Sequence, residues 1–148
     1  RPYNVDDPDN LYHILSGLDA LQKLIIFPVH PRTLNILNNM KNNRFSNIRL
    51  IEPQAYLDFL LLMKHSRMIF TDSGGIQKEA YILQKPCVTL RPETEWVETV
   101  QSGWNLLLPV FSRDFPFVVN NFKPPETHPA LFGENVAEKI MQILERKG

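Results

Sequence analysis

The sequence predicts an α/β fold: a Rossmann-like, three-layer α/β/α domain with a mainly parallel sheet. Three observations lead there. Short apolar runs such as "LIIFPV" (24–29) lack polar alternation, as strands covered on both faces require. Longer stretches with apolar residues at helical spacing separate these runs. The connections are short, and alternation of strand and helix through short loops favours parallel strands with helical crossovers.

Each element has its own signal. "DPDNLYHILSGLDALQK" sets Leu11, Ile14, Leu15, Leu18 and Leu21 on one helical face, with Pro8 in the first turn. "LIIFPV" follows as a strand, "PRTLNILNNM" as a short helix and "IRLI" (48–51) as a short strand. "QAYLDFLLLMKHS" reads as a helix with Tyr56, Phe59, Leu60 and Met63 inward. "RMIF" is a strand, "GGIQKEAYILQ" a helix and "PCVTL" a strand. "TEWVETVQSG" is expected to be a helix ending at Gly103, with "NLLL" as the next strand. Between Pro109 and Phe132 prolines and aromatics obscure any period; a short helix near Phe115–Asn121 and then a loop are expected. The closing helix "GENVAEKIMQILERK" carries Val136, Ile140, Ile143 and Leu144 as its apolar stripe.

The 148 residues suffice for one domain with a real core. With 16 basic and 16 acidic side chains and no long basic run, nucleic acid and anionic membrane surfaces are not expected partners. The single cysteine, Cys87, allows no internal disulfide and fits a reducing, cytoplasmic setting; it is expected to be a buried strand residue. No apolar run reaches the length of a membrane span, and "RPYNVDDPDN" lacks the apolar core of a signal peptide. That opening has no initiator methionine, which leads to the expectation of a piece of a longer protein.

The chemistry concentrates in "FTDSGGIQKEA" (70–80), at the carboxyl end of a strand and the start of a helix, where open α/β sheets bind ligands. The first turn of a helix offers unpaired N–H groups and partial positive charge to an anion. Gly74 and Gly75 have no Cβ, so a phosphate could approach the main chain; Ser73 could cap the helix or donate to a phosphate oxygen. Glu79, one turn further on the same side, could accept both hydroxyls of a ribose. Together these spell a nucleoside diphosphate. The plainer alternative is a capped helix with Glu79 in solvent.

"DSGGIQKEAYILQKPCVTLRPETEWVE" resembles the nucleotide-binding signature of the non-hydrolysing UDP-N-acetylglucosamine 2-epimerases. "IFPVHPRT", "IEPQAYLDFLLLM" and "RPYNVDDPDNL" resemble further landmarks of that family in the same order, and Gly133–Leu144 its closing helix. The resemblance implies the C-terminal, UDP-binding domain of a two-domain, glycosyltransferase-B-like enzyme, with the N-terminal domain outside this chain. The enzymes it resembles interconvert UDP-GlcNAc and UDP-ManNAc: they eliminate UDP, leaving 2-acetamidoglucal, and add it back with the opposite configuration at C2. No dissociable cofactor and no metal are implied. UDP and a UDP-sugar are the implied ligands, the N-terminal domain the implied partner, and a homodimer is compatible with the family habit.

Carried over residue by residue, Ser73, Gly74 and Gly75 would hold the diphosphate and Glu79 the ribose. Gln54 and Phe59 match positions near the uracil; otherwise Gln54 is a polar helix-start residue and Phe59 a core aromatic. His30 and Arg1 match residues near a second, activating substrate molecule; otherwise His30 caps the next helix and Arg1 is a mobile terminus. Arg91 could meet phosphate or pair with Glu95. Asp72 has two readings, ligand contact or a tie within its own loop, and Met40, Met63 and Met68 are expected to pack.

Two departures stand out: Trp96 where many bacterial members carry arginine, and Tyr3 where the opening motif has an acid. The catalytic carboxylates implied by the resemblance fall in the N-terminal domain, so this chain alone is expected to be inactive. Alternatives are the nucleotide-binding half of a UDP-sugar glycosyltransferase, a hydrolysing epimerase and a non-catalytic nucleotide-sensing module.

Overall fold

The computed structural model describes residues 2–40, 44–109 and 111–147. In chain order the elements are α1 (Pro2–Val5), α2 (Pro8–Asp19), β1 (Ile25–Pro28), α3 (Pro31–Asn39), β2 (Ile48–Ile51), α4 (Tyr56–His65), β3 (Ile69–Thr71), α5 (Gly74–Ile82), β4 (Cys87–Thr89), α6 (Val97–Gln101), β5 (Asn105–Leu107), α7 (Phe115–Asn121) and α8 (Glu134–Lys147). All strand pairings are parallel, as the alternating pattern requires. The chain divides into two compact units, Arg1–Gln54 with Val110–Asn121, and Ala55–Pro109 with Phe122–Gly148.

In the first unit β1 pairs with β2 from Ile25↔Ile48 to Pro28↔Ile51. Helix α2 begins where Asp7 caps it: the carboxylate accepts from the N–H groups of Asp9 (2.9 Å) and Asn10 (3.4 Å). Pro8 takes the first helical position, where its missing N–H is no loss. Its face of Leu11, Ile14, Leu15 and Leu18 is buried, as the spacing predicts. Leu11 and Leu15 join Val29 and Leu37 in a core sealed by Phe27, Leu34 and Ile48. The loop into β2 is tied down by Asn47, whose backbone N–H donates to Asp19 Oδ1 at 2.7 Å and whose side chain donates to the Asp19 carbonyl at 3.0 Å. Helix α7, expected at Phe115–Asn121, forms there and buries Phe115 and Val119.

In the second unit the strands run in the order β3-β4-β5, with Ile69↔Cys87 and Cys87↔Asn105 in register. The central strand β4 is wholly buried, Cys87 included. Leu60 and Met63 of α4, Ala80 of α5, Leu83, Cys87 and Leu144 of α8 form the core, with Phe59, Ile76 and Ile140 packed against it. Burying a side chain such as Leu60 or Leu144 contributes about 1.5–3 kcal/mol.

Three expected core positions are corrected. Tyr56 is 59% exposed, because it opens α4 beyond the edge of the core and its hydroxyl has a polar neighbour described below. Val136 and Ile143 are 39% and 48% exposed. Val136 lies in the first turn of α8, and Ile143 sits beside the inward Leu144, about 100° around the helix.

Within the second unit the segment after α7 is clasped by Tyr81 of α5 and by Trp104, the residue before β5. Tyr81 Oη donates to the Pro129 carbonyl at 2.6 Å, and Trp104 Nε1 donates to the Thr127 carbonyl at 2.8 Å. His128 stacks on Tyr81 with ring centres 4.2 Å apart.

Candidate functional site

The turn between β3 and α5 is shaped by its own hydroxyls. Ser73 N–H donates to Thr71 Oγ1 at 3.0 Å, which bends the chain away from the strand. Ser73 then takes the N-cap position with extended backbone (φ −91, ψ 129), and its carbonyl accepts from Gln77 N–H at 3.2 Å. Its hydroxyl makes no capping hydrogen bond, so the capping role open to Ser73 is not taken. The first N–H groups of a helix have no carbonyl within that helix, and they open here with the positive end of the helix dipole.

The two glycines differ. Neither has a positive φ, a feature that glycines show at Gly103 and Gly133, so backbone freedom does not account for them. Space does, at Gly74: a Cβ there would collide with Glu95 Oε1 and stand 2.9 Å from Glu95 Cδ and 3.4 Å from Trp96 Nε1. A Cβ on Gly75 would meet only Ser73 Oγ, at 3.9 Å, so the main chain there is open.

Glu95 reaches Gly74 because the loop after β4 folds back over the turn. Arg91, two residues past the strand, donates from Nη1 to Glu95 Oε2 at 3.0 Å. The Arg91 side chain is only 13% exposed and that of Glu95 46%. Of the two partners foreseen for Arg91, the structure pairs it with Glu95.

Beneath the turn lies a polar network that no sequence pattern announced. Gln77, 1% exposed, accepts at Oε1 from Thr94 Oγ1 (2.6 Å) and from Asn105 Nδ2 (3.1 Å). Asn105 also donates to Thr99 Oγ1 at 3.0 Å and accepts from Thr89 Oγ1 at 2.7 Å. Thr94 Oγ1 in turn accepts from Trp96 N–H at 3.1 Å, and Thr99 Oγ1 donates to the Trp96 carbonyl at 2.7 Å. Buried polar groups demand partners, and here they supply them across α5, the 91–96 loop, β4 and β5. Two donors remain buried and without a partner among the described residues, Gln77 Nε2 and Trp96 Nε1.

Glu79 is partly buried on the second turn of α5 beside Tyr56. The Tyr56 hydroxyl is pushed above its ordinary pKa, first by burial and then by its hydrogen bond to the Glu79 carboxylate and that group's charge. A carboxylate that binds one hydroxyl in this way is chemically suited to bind others.

The second unit thus brings together Ser73, Gly74, Gly75, Glu79 and Arg91. Phe59 belongs to this unit too, half-buried against its core. His30 and Gln54 belong to the other unit. There His30 caps α3, its Nδ1 accepting from Arg32 N–H at 3.3 Å, while Arg32 pairs with Asp6 at 2.8 Å. Gln54 is exposed and donates to the Glu52 carbonyl at 2.7 Å. Arg1 lies outside the described residues. Among the described residues no three His, Cys, Asp or Glu side chains are grouped to hold a metal, and no helix is long and apolar enough to cross a membrane. Sequence reasoning missed Gln77 and Tyr56 as neighbours of the site. The only available signal for Gln77 was its place three residues after Gly74, on the inward face of α5.

Parallel strands joined through helices, with a Ser-Gly-Gly turn at a strand's carboxyl end, define a Rossmann-like α/β protein. A sequence model of the UDP-N-acetylglucosamine 2-epimerase family matches residues 1–145, and the chain belongs to that family. It is 43% identical over 150 residues to a UDP-N-acetylglucosamine 2-epimerase homolog of Methanococcus maripaludis, covering 97% of this chain and 42% of that protein. It is 40% identical over 111 residues to a UDP-2,3-diacetamido-2,3-dideoxy-D-glucuronate 2-epimerase of Pseudomonas aeruginosa, covering 73% of this chain and 31% of that protein. The crystal structure of Methanocaldococcus jannaschii UDP-GlcNAc 2-epimerase in complex with UDP-GlcNAc and UDP is similar, with TM-score 0.76 and 39% identity over 99% of this chain and 43% of that one. The chain therefore spans less than half the length of these relatives, which are named as epimerases, a class of isomerase.

Proposed function

We propose that this chain is the C-terminal, UDP-binding domain of a cytoplasmic UDP-N-acetylglucosamine 2-epimerase whose N-terminal domain lies outside it. The observation that carries the proposal is the start of α5, where Ser73 leaves its hydroxyl out of the cap, the Gly75 main chain is open and Glu79 follows one turn on. The similar Methanocaldococcus jannaschii enzyme, solved with UDP-GlcNAc and UDP, supports it.

In this reading the diphosphate meets the N–H groups of Gly74 and Gly75 and the Ser73 hydroxyl, and Glu79 exchanges the Tyr56 hydroxyl for those of the ribose. Phe59 serves the uracil. Elimination removes a proton from C2 of the sugar and breaks the bond from C1 to the diphosphate oxygen, so UDP departs as an anion. Donors already aimed at that oxygen stabilise the charge as it develops. Re-addition of the UDP oxygen at C1 and of a proton to the opposite face of C2 restores both bonds and completes the inversion at C2. The proton-transferring carboxylates belong to the N-terminal domain, so this chain binds UDP weakly and inverts nothing by itself; His30 and Arg1 serve a second, activating substrate molecule.

Calorimetric titration of the chain with UDP and with uridine tests the site. Binding that requires the diphosphate and weakens in Glu79→Ala is expected. Equal affinity for UDP and uridine would remove the helix start from the account. Product analysis on the whole protein with UDP-GlcNAc then tests the reaction: UDP-ManNAc is expected, and free ManNAc or transfer to an acceptor would overturn it.

A further inference from the structure

The turn assigned to the diphosphate already holds an anion. The Glu95 carboxylate lies against Gly74 with one oxygen, at the first residue of α5, and accepts from Arg91 with the other at 3.0 Å. Its charge therefore stands beside the positive helix start and is paired with a guanidinium, the two groups that a diphosphate in the same place would require. Residues on both sides of Glu95 are anchored: Thr94 to Gln77 at 2.6 Å, and Trp96 through its N–H to Thr94 and its carbonyl to Thr99. The backbone at Glu95 is thus held in place while its side chain, 46% exposed, can swing out. Arg91, at 13%, is the fixed partner. The buried Trp96 Nε1, without a partner among the described residues, stands 3.4 Å from where a Gly74 Cβ would be. It is a further donor beside this spot.

We propose that Glu95 is a built-in stand-in for the diphosphate, competing with it for the Gly74 turn and for Arg91 and so setting the affinity of the site. This rests on the reading of the turn as a diphosphate site and adds its regulation. Two anions cannot share the turn, so the incoming diphosphate displaces the carboxylate, and Arg91 changes partner. When the ligand leaves, Glu95 returns and the helix start and Arg91 are not left uncompensated. The consequence is a site that releases its anion more readily than the donors alone would allow.

The test is calorimetric titration of UDP and uridine into the full chain and into its Glu95→Gln variant. Melting curves check that this exposed substitution leaves the fold intact. Removing the competing charge is expected to tighten UDP about tenfold, with uridine unchanged and the gap narrowing as salt is raised. Equal UDP affinity in the two proteins, or weaker binding in Glu95→Gln, would overturn the competition while leaving the diphosphate site standing. Tightening of uridine as well would also overturn it, since the effect would not be on the diphosphate. UDP binding to neither protein would remove both the site and its regulation.

Discussion

Thr94 donates a 2.6 Å hydrogen bond to the side-chain oxygen of Gln77, and this contact joins the loop after β4 to the first turn of α5. It also decides where Glu95 and Trp96 stand, because both follow directly on Thr94.

The first expectation concerns that contact. Gln77→Leu leaves Thr94 and Asn105 without their acceptor in a buried place and should cost about 1–3 kcal/mol. Thr94→Val should cost less, because the Gln77 oxygen keeps Asn105. Since the residues touch, the double substitution should cost clearly less than the sum of the two. Denaturant midpoints of the four proteins measure it, and strict additivity would show that the contact contributes nothing.

Two glycines should respond differently to alanine. Gly103 has φ +79 and a Cβ there would stand 3.0 Å from Pro125 Cδ, so Gly103→Ala should destabilise by about 1–2 kcal/mol. At Gly74 the obstacle is the far end of the half-exposed Glu95 side chain, which can move, and alanine favours the helix. Gly74→Ala should therefore change stability by less than about 0.5 kcal/mol while displacing Glu95. Thermal denaturation separates the two cases.

Burial pushes the Cys87 thiol up to about 12, the contact with Thr89 offsetting little of this. The native protein should resist thiol reagents at neutral and mildly alkaline pH, and the unfolded chain should react at once. The linkage has a definite sign. The raised value favours the protonated native form, so this group's stabilisation is complete below the unfolded value near 9.0 and is lost as pH rises from there towards about 12. A Cys87→Ala variant should lose less stability over that window than the parent, as denaturant titrations across it would measure.

The Tyr56–Glu79 contact can be read by tyrosinate absorbance. Glu79→Gln removes the charge and should bring the Tyr56 titration down towards its ordinary value, with burial retaining part of the rise. Difference titrations against Tyr56→Phe isolate the signal. A Tyr56 titration unmoved by Glu79→Gln would mean that the hydroxyl and the carboxylate do not interact.

Much of the fold was legible because its signals are local. Pro8 and Pro31 sit at first helical positions, and Leu11, Ile14, Leu15 and Leu18 repeat at helical spacing, so α2 and α3 declare themselves in a few residues. "IRLI" and Phe115–Asn121 form the strand and helix expected of them. The candidate turn was equally plain, since a strand, Ser73, Gly74, Gly75 and a helix are consecutive. What misled was position along an element: Tyr56 and Val136 have the right period yet lie at helix starts, beyond the core that their faces would join.

By itself the sequence determined the parallel α/β class, the order of elements and the place of the glycine turn, because each rests on residues within one helical turn or one strand of each other. Only the tertiary structure decided that Glu95 lies on Gly74, that Arg91 pairs with it and that Gln77 holds Thr94. The register of β3, β4 and β5 sets which residues of the 91–96 loop meet α5. That meeting is settled by the packing of side chains far apart in the chain, where no spacing rule applies.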